Sequence, residues 1–258
     1  MNLIIVESLS LDELRIYNEL RDNAFRDDNS FIADSPKVVN LLLESAIEVK
    51  SILATQEYYN EFKELIEKRN IPKLYVADKA LMSKVVGHKI HHNCMMHGIR
   101  PADVSLDDLG ESVILLDSIT SAENVGSIAR SAAALGVDSY LMGKESPHPF
   151  NRRALRVSMG HAHLLDIHIY DDIIKSIKEL KQRGYRIYAA EVTPNATPLA
   201  QVKITQKWVL VMGHEGFGIA QEILDVCDEV VTIEMVEGIK SFNVAVAASL
   251  MMYRFKML

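Results

Sequence analysis

The chain has 258 residues, 48% apolar and 24% charged, which suits one large or two small folded domains and excludes a disordered tail, a collagen-like repeat and a coiled-coil rod. Its net charge of −7, with 13 basic against 16 acidic residues over 1–105 and 15 against 19 over 106–258, argues against an indiscriminate nucleic-acid coat protein. Two cysteines fit a reducing, cytoplasmic setting, the N-terminus lacks the basic flank of a signal peptide, and the longest nearly apolar stretch, 244–253, falls short of the roughly 18 residues of a membrane span.

Ser10 and Glu13 have capping-box spacing and predict a helix over 11–24. Residues 31–33 are a short strand candidate. Ser35-Pro36 then opens a helix reaching Ser45, with a cap residue and a first-turn proline. A strand over 49–54, a helix over 57–69 and a strand over 73–76 follow. This alternation indicates an α/β layer fold. Between Gly98 and Glu111 turn residues replace the pattern and mark a boundary, giving a small domain over 1–105 and a second over 112–258.

In the second domain, strands are predicted over 113–117, 140–142, 165–170, 185–191, 208–212 and 229–233. Helices are predicted over 124–135 and 172–183, each followed by glycine, then over 219–226 and 243–255. The last helix is apolar on almost every side, so it either threads the core or lies at a subunit interface; the interface reading implies a homodimer.

Two basic windows interrupt the acidic average. Residues 79–100 carry Lys79, Lys84, Lys89, Arg100 and four histidines without an acid; residues 144–156 carry Lys144, Arg152, Arg153 and Arg156 against Glu145. Each reads as a solvated loop or as a phosphate-facing patch. His88, His91, His92, Cys94 and His97 match no standard zinc spacing, so no metal site is expected.

Ligands of open parallel sheets bind beyond the carboxyl ends of the strands. Three loops there stand out: 118–127, 213–218 and 234–243. Each precedes a helix and offers free backbone N–H groups. The second, G-H-E-G-F-G, is neither a dinucleotide fingerprint nor a P-loop; its three glycines suggest either a turn or close backbone approach to a ligand. Arg130, on an Ala-rich helix, reads alone as a solvated residue, and Ser241 and Asn243 read alone as caps.

Taken in order, the segments S-A-E-N-V-G-S-I-A-R-S-A-A-A-L-G (121–136), V-L-V-M-G-H-E-G-F-G-I (209–219) and I-E-M-V-E-G-I-K-S-F-N-V-A-V-A-A-S-L (233–250) resemble the three motifs of the SpoU-type RNA ribose methyltransferases of the SPOUT superfamily. The resemblance covers about 113–255. It implies a trefoil-knotted α/β domain, a homodimer, S-adenosylmethionine as cofactor and methyl transfer to a 2′-hydroxyl of ribosomal or transfer RNA. The region before it resembles, more weakly, the small α/β RNA-binding domain that many members carry.

The resemblance also assigns roles. Arg130 matches the central catalytic arginine, and Asn124, Glu215, Ser241 and Asn243 match the residues that position it, the loops and the ribose. Met212, Gly213, Gly218, Ile233 and Phe242 stand where the family holds its cofactor. Arg152, Arg153 and Arg156 match a basic stretch that touches RNA. Glu234 and Phe242 replace the usual proline and leucine, and they motivate an alternative: an RNA-binding or assembly protein that keeps the fold without catalysis.

Overall fold

The computed structural model describes residues 2–8, 12–19 and 28–257. The chain divides into two units: the first runs to Ala102 and takes in His148–His163, and the second comprises Asp103–Pro147 and the chain from Leu164 onward.

In the first unit, β1 (Asn2–Ile5), α1 (Ile16–Glu19), β2 (Ser30–Asp34), α2 (Pro36–Glu44), β3 (Glu48–Ala54), α3 (Gln56–Glu61), α4 (Lys63–Arg69), β4 (Lys73–Val76), α5 (Lys79–Val86) and β5 (Cys94–Ile99) build a sheet in the order β1-β4-β3-β5-β2. A 3-10 turn, Asp12–Arg15, leads into α1, so only this part of the helix predicted over 11–24 is described; Ser10 and residues 20–27 lie outside the described residues. The helix predicted over 57–69 is two helices broken at Phe62.

The window 79–100, read as a solvated loop or a phosphate-facing patch, is largely regular structure. Asp78 caps α5 by accepting from the Leu81 N–H, and Gly87 ends it in the left-handed region. β5 pairs antiparallel with both β3 and β2, so Cys94, Met95 and Met96 are buried. Its glycine misleads a sequence reader: a side chain at Gly98 would lie 2.8 Å from the Phe31 ring, so glycine lets two strands pack closely there and does not mark a turn.

The second unit holds β6 (Ser112–Leu116), α6 (Ala122–Leu135) and β7 (Ser139–Gly143). After α7 (Arg152–Val157), which belongs to the first unit, it continues with β8 (Asp166–Tyr170), α8 (Ile173–Gln182), β9 (Arg186–Ala190), β10 (Thr197–Pro198), β11 (Trp208–Met212), α9 (Gln221–Leu224), β12 (Glu229–Thr232) and α10 (Val244–Lys256). Its seven strands are parallel in the order β10-β12-β9-β11-β6-β7-β8. Every residue of β6 and β11 is buried, which is why 113–116 and 208–212 read as unbroken apolar runs.

The sequence boundary placed residues 148–163 in the second domain, but they pack with the first unit. The Phe150 ring meets Phe31 edge-on at 5.0 Å, and Arg152 and Arg156 pair with Asp34 at the end of β2. This segment also contains α7, a helix the sequence reading missed: its two buried residues, Ala154 and Leu155, are too few to show a period.

Helix α10 is not buried on every side. Ala245, Ala248, Met251, Met252 and Phe255 face the core, while Val246 and Tyr253 stay about half exposed, at 47% and 55%. Phe255 lies edge-on to Tyr188 and Trp208, each at 5.1 Å, and such pairs contribute about 0.5–1.5 kcal/mol beyond area burial. Ser249 bonds Ser131 of α6 at 2.7 Å. These contacts fix where the N-terminus of α10 arrives.

Candidate active site

Neighbouring parallel strands β12, β9, β11 and β6 end along one edge of the sheet, and their loops gather there. A cavity of about 400 Å³ lies among them, within the usual range for small-ligand sites. Of the residues the sequence pointed to, Met212, Gly213, Gly218, Ile233 and Phe242 all line it, together with Glu215 and Ser241. Asn124, Asn243 and Arg130 do not.

Glu215 is the hub that joins the first loop to the second. Its Oε1 accepts from the Ser121 N–H at 3.0 Å and from Asn124 Nδ2 at 3.0 Å; its Oε2 accepts from the N–H and hydroxyl of Thr120 at 3.1 and 3.2 Å. Burial works to raise its pKa. The hydrogen bonds from Asn124 and from the backbone of Thr120, Glu215 and Ser121 outweigh it and bring the carboxyl down to about 2. A carboxylate held that low is a poor general base at neutral pH, and the hydrogen bonds of Glu215 tie the first loop to the second.

The third loop joins through Asn243. Its Nδ2 donates to Asn124 Oδ1 at 3.1 Å, and its Oδ1 caps α10 by accepting from the N–H groups of Ala245 and Val246. Asn124 thus links the other two, and Ser121 caps its helix by accepting from the Asn124 N–H. Asn243 is therefore at once the cap of α10 and a hydrogen-bond partner of Asn124.

The glycines of the second loop serve its closure. His214 and Gly218 exchange two backbone hydrogen bonds, at 3.1 and 3.0 Å. A Cβ at Gly213 would lie 2.6 Å from the Gly218 carbonyl carbon and 2.7 Å from the Ile219 nitrogen. Gly218 has φ +68, and a Cβ there would strike Glu191 at 2.2 Å. At Gly213 the loop's own backbone excludes a side chain, and at Gly218 the left-handed backbone and the Glu191 carboxylate do.

Glu191 and His214 are among the lining residues to which the sequence assigned no role. Glu191, beyond the end of β9, accepts from the Ile219 N–H at 2.8 Å and pins the exit of the glycine loop. The strand-end rule that singled out the other loops points to it equally. His214 accepts from the Gly216 and Phe217 N–H groups through Nδ1, and its ring lies 4.7 Å from that of Phe217, which is 90% exposed.

Arg130 is exposed on α6 and is not a partner of Glu215, Asn124 or Asn243. Arg153 and Arg156 are exposed, while the Arg152 side chain is only 12% exposed beside Asp34. Among the described residues no group of three or more His, Cys, Asp or Glu side chains is arranged to hold a metal ion.

The SpoU rRNA Methylase family matches residues 111–253. The chain is 31% identical over 228 residues to an uncharacterized tRNA/rRNA methyltransferase of Mycobacterium bovis, covering 86% of this chain and 79% of that one. Its fold matches the AdoMet-bound rRNA methyltransferase of Sinorhizobium meliloti (TM-score 0.80, 21% identity, 99% and 98% of the two chains). It also matches the SpoU methyltransferase AviRb of Streptomyces viridochromogenes in complex with AdoMet (TM-score 0.80, 20% identity, 96% and 98%).

Proposed function

This chain belongs to the SpoU rRNA Methylase family of RNA methyltransferases, and we propose that it methylates a ribose 2′-hydroxyl of structured RNA, ribosomal or transfer, using S-adenosylmethionine. The observation that carries the reading is the chain of hydrogen bonds from Glu215 through Asn124 to Asn243, which ties three separate loops around one cavity.

The cavity's chemistry fits that cofactor. Met212, Ile233 and Phe242 give apolar walls, the loop backbones give hydrogen-bonding groups, and the carboxylate of Glu191 suits a cation or a hydroxyl donor. When bound, the cofactor supplies an electrophilic methyl group. The chain's own residues supply position: alignment of two reactants is worth effective molarities of about 10⁵–10⁸ M. Glu215, Asn124 and Asn243 hold the loops, and Ser241, on the exposed third loop, lies at the cavity for contact with the ribose. Arg130 lies outside the cofactor cavity and is the group proposed to meet the RNA at the reacting ribose, as a base or as an anchor for its phosphate. Arg152, Arg153 and Arg156 are proposed to contact the RNA backbone.

The same reading carries a small RNA-binding N-terminal domain, a trefoil knot in the C-terminal one, a cytoplasmic location and a homodimer. The dimer is supported by α10, whose Val246, Leu250, Tyr253 and Met257 form an exposed apolar stripe at helical spacing.

The test is calorimetry of S-adenosylmethionine on the purified protein, followed by incubation with RNA and mapping of nucleotides that resist alkaline cleavage. Binding and a resistant nucleotide, the latter lost in Arg130→Ala, are expected. A folded dimer that binds RNA without transferring methyl would favour the non-catalytic alternative.

A further inference from the structure

Two basic stretches far apart in the sequence meet in the first unit. The turn between α5 and β5 supplies His88, Lys89, His91 and His92, and α7 supplies Arg152 and Arg156, to one cavity of about 220 Å³. Asp34 is the only carboxylate among its lining residues. Lys89 and the two arginines therefore outnumber the acid in a chain whose net charge is −7.

Asp34 holds both arginines by one oxygen. Arg152 Nη1 and Arg156 Nη1 each lie 3.5 Å from Oδ2, while Oδ1 is buried without a hydrogen-bond partner. A buried carboxylate with an unsatisfied oxygen is a poor device for stability, since an apolar replacement would often serve as well. The backbone is strained at the same place: Ser35 has φ 79, a conformation that costs free energy in a residue with a side chain. The Arg156 guanidinium carries five N–H donors in a planar fork, more than its contact with one carboxylate oxygen takes up, and its side chain is 42% exposed.

We propose that this cavity binds a phosphate group of the RNA substrate. Lys89, Arg152 and Arg156 form its cationic wall, the histidines bring further ring nitrogens, and Asp34 is the counter-charge that fixes the arginine pair between substrates. The inference rests on the proposed RNA reading only for the source of the phosphate. It joins the two windows of the sequence into one site, separate from the cofactor cavity of the second unit.

The test uses the full chain and inorganic phosphate, followed by calorimetry at low salt. Lys89→Ala and Arg156→Gln should each weaken phosphate about tenfold, as loss of a charge-assisted contact does. Asp34→Asn should strengthen it, because the competing negative charge is gone. A purely structural triad gives the opposite pattern: Asp34→Asn lowers the melting temperature and phosphate affinity stays the same in all three, which would overturn the site. With a single-stranded RNA probe, Lys89→Ala should reduce the slope of log affinity against log salt by about one. An unchanged slope beside weakened inorganic phosphate overturns RNA as the source and assigns the cavity to a small phosphorylated ligand. Cofactor calorimetry on Lys89→Ala should match the parent protein. A protein that binds phosphate and RNA as described but transfers no methyl sinks the methyltransferase reading alone.

Discussion

Asn243 donates its side-chain amide to Asn124 across 3.1 Å, joining two residues 119 positions apart. The same Asn243 caps α10 through its other side-chain atom. Asn243→Asp separates the two roles, because a carboxylate caps a helix well but cannot donate to Asn124. Its melting temperature should stay within a few degrees of the parent while methyl transfer falls. Asn243→Ala should lose about 1 kcal/mol of stability as well, read by denaturant unfolding. Equal activity in Asn243→Asp and the parent would remove the amide–amide link from the mechanism.

Glu215 gives the site an acid limit. Its carboxyl stands at about 2 against an ordinary 4.5, so it contributes stability that is fully present above 4.5 and is lost as pH falls through 2. Glu215→Gln lacks that charge at every pH. The parent should therefore melt higher than the variant at neutral pH, and the gap should close between about pH 4.5 and 2. A gap constant over that window would mean the donors around Glu215 do not favour its charged form.

Gly213→Ala puts a methyl group 2.6 Å from backbone that cannot swing away. The loop must open, with a loss of about 1–3 kcal/mol, and cofactor binding should vanish from calorimetry. Gly216→Ala is the control, because its nearest neighbours are His214 ring atoms at 3.6 Å or more, and it should bind normally.

Leu250→Asp and Tyr253→Glu place charges on the exposed stripe of α10. Neither side chain is part of the core, so the fold should persist. The proposed dimer should dissociate, giving a 29.0 kDa species in sedimentation where the parent runs at twice that mass. A parent that sediments as a monomer would remove the dimer.

Arg130→Ala should leave cofactor calorimetry unchanged and abolish methyl transfer, since the side chain lies outside the cavity. Lost cofactor binding would instead place the arginine's role in shaping the pocket.

Much of the second unit could be read from the sequence because its signals are local. β11 was bounded correctly from one apolar run, and α6 and α8 from their terminal glycines and Asp172. What could not be read depends on distant partners. β5 is a strand because β2 and β3 flank it, although its Cys-Met-Met-His-Gly-Ile carries no alternation. The burial of Arg152 follows from Asp34, 118 positions earlier. Of the site, three motifs located the loops and the lining, but that Asn124 bridges Glu215 and Asn243 is a matter of geometry. Glu191 is not legible in the sequence because its strand end carries neither a glycine loop nor a motif match.

The place of β11 in the sheet sets an order of assembly. It pairs with β6 on one side and β9 on the other, and those two strands do not pair with each other. Both 112–116 and 186–190 leave the ribosome before 208–212, so the central strand of these three is the last of them to be made, and α10 follows it. Parallel pairings over such separations are slow to form. The cavity proposed to hold the methyl donor is thus among the last features to form in a newborn chain, and a product ending before 208–212 is expected not to bind S-adenosylmethionine.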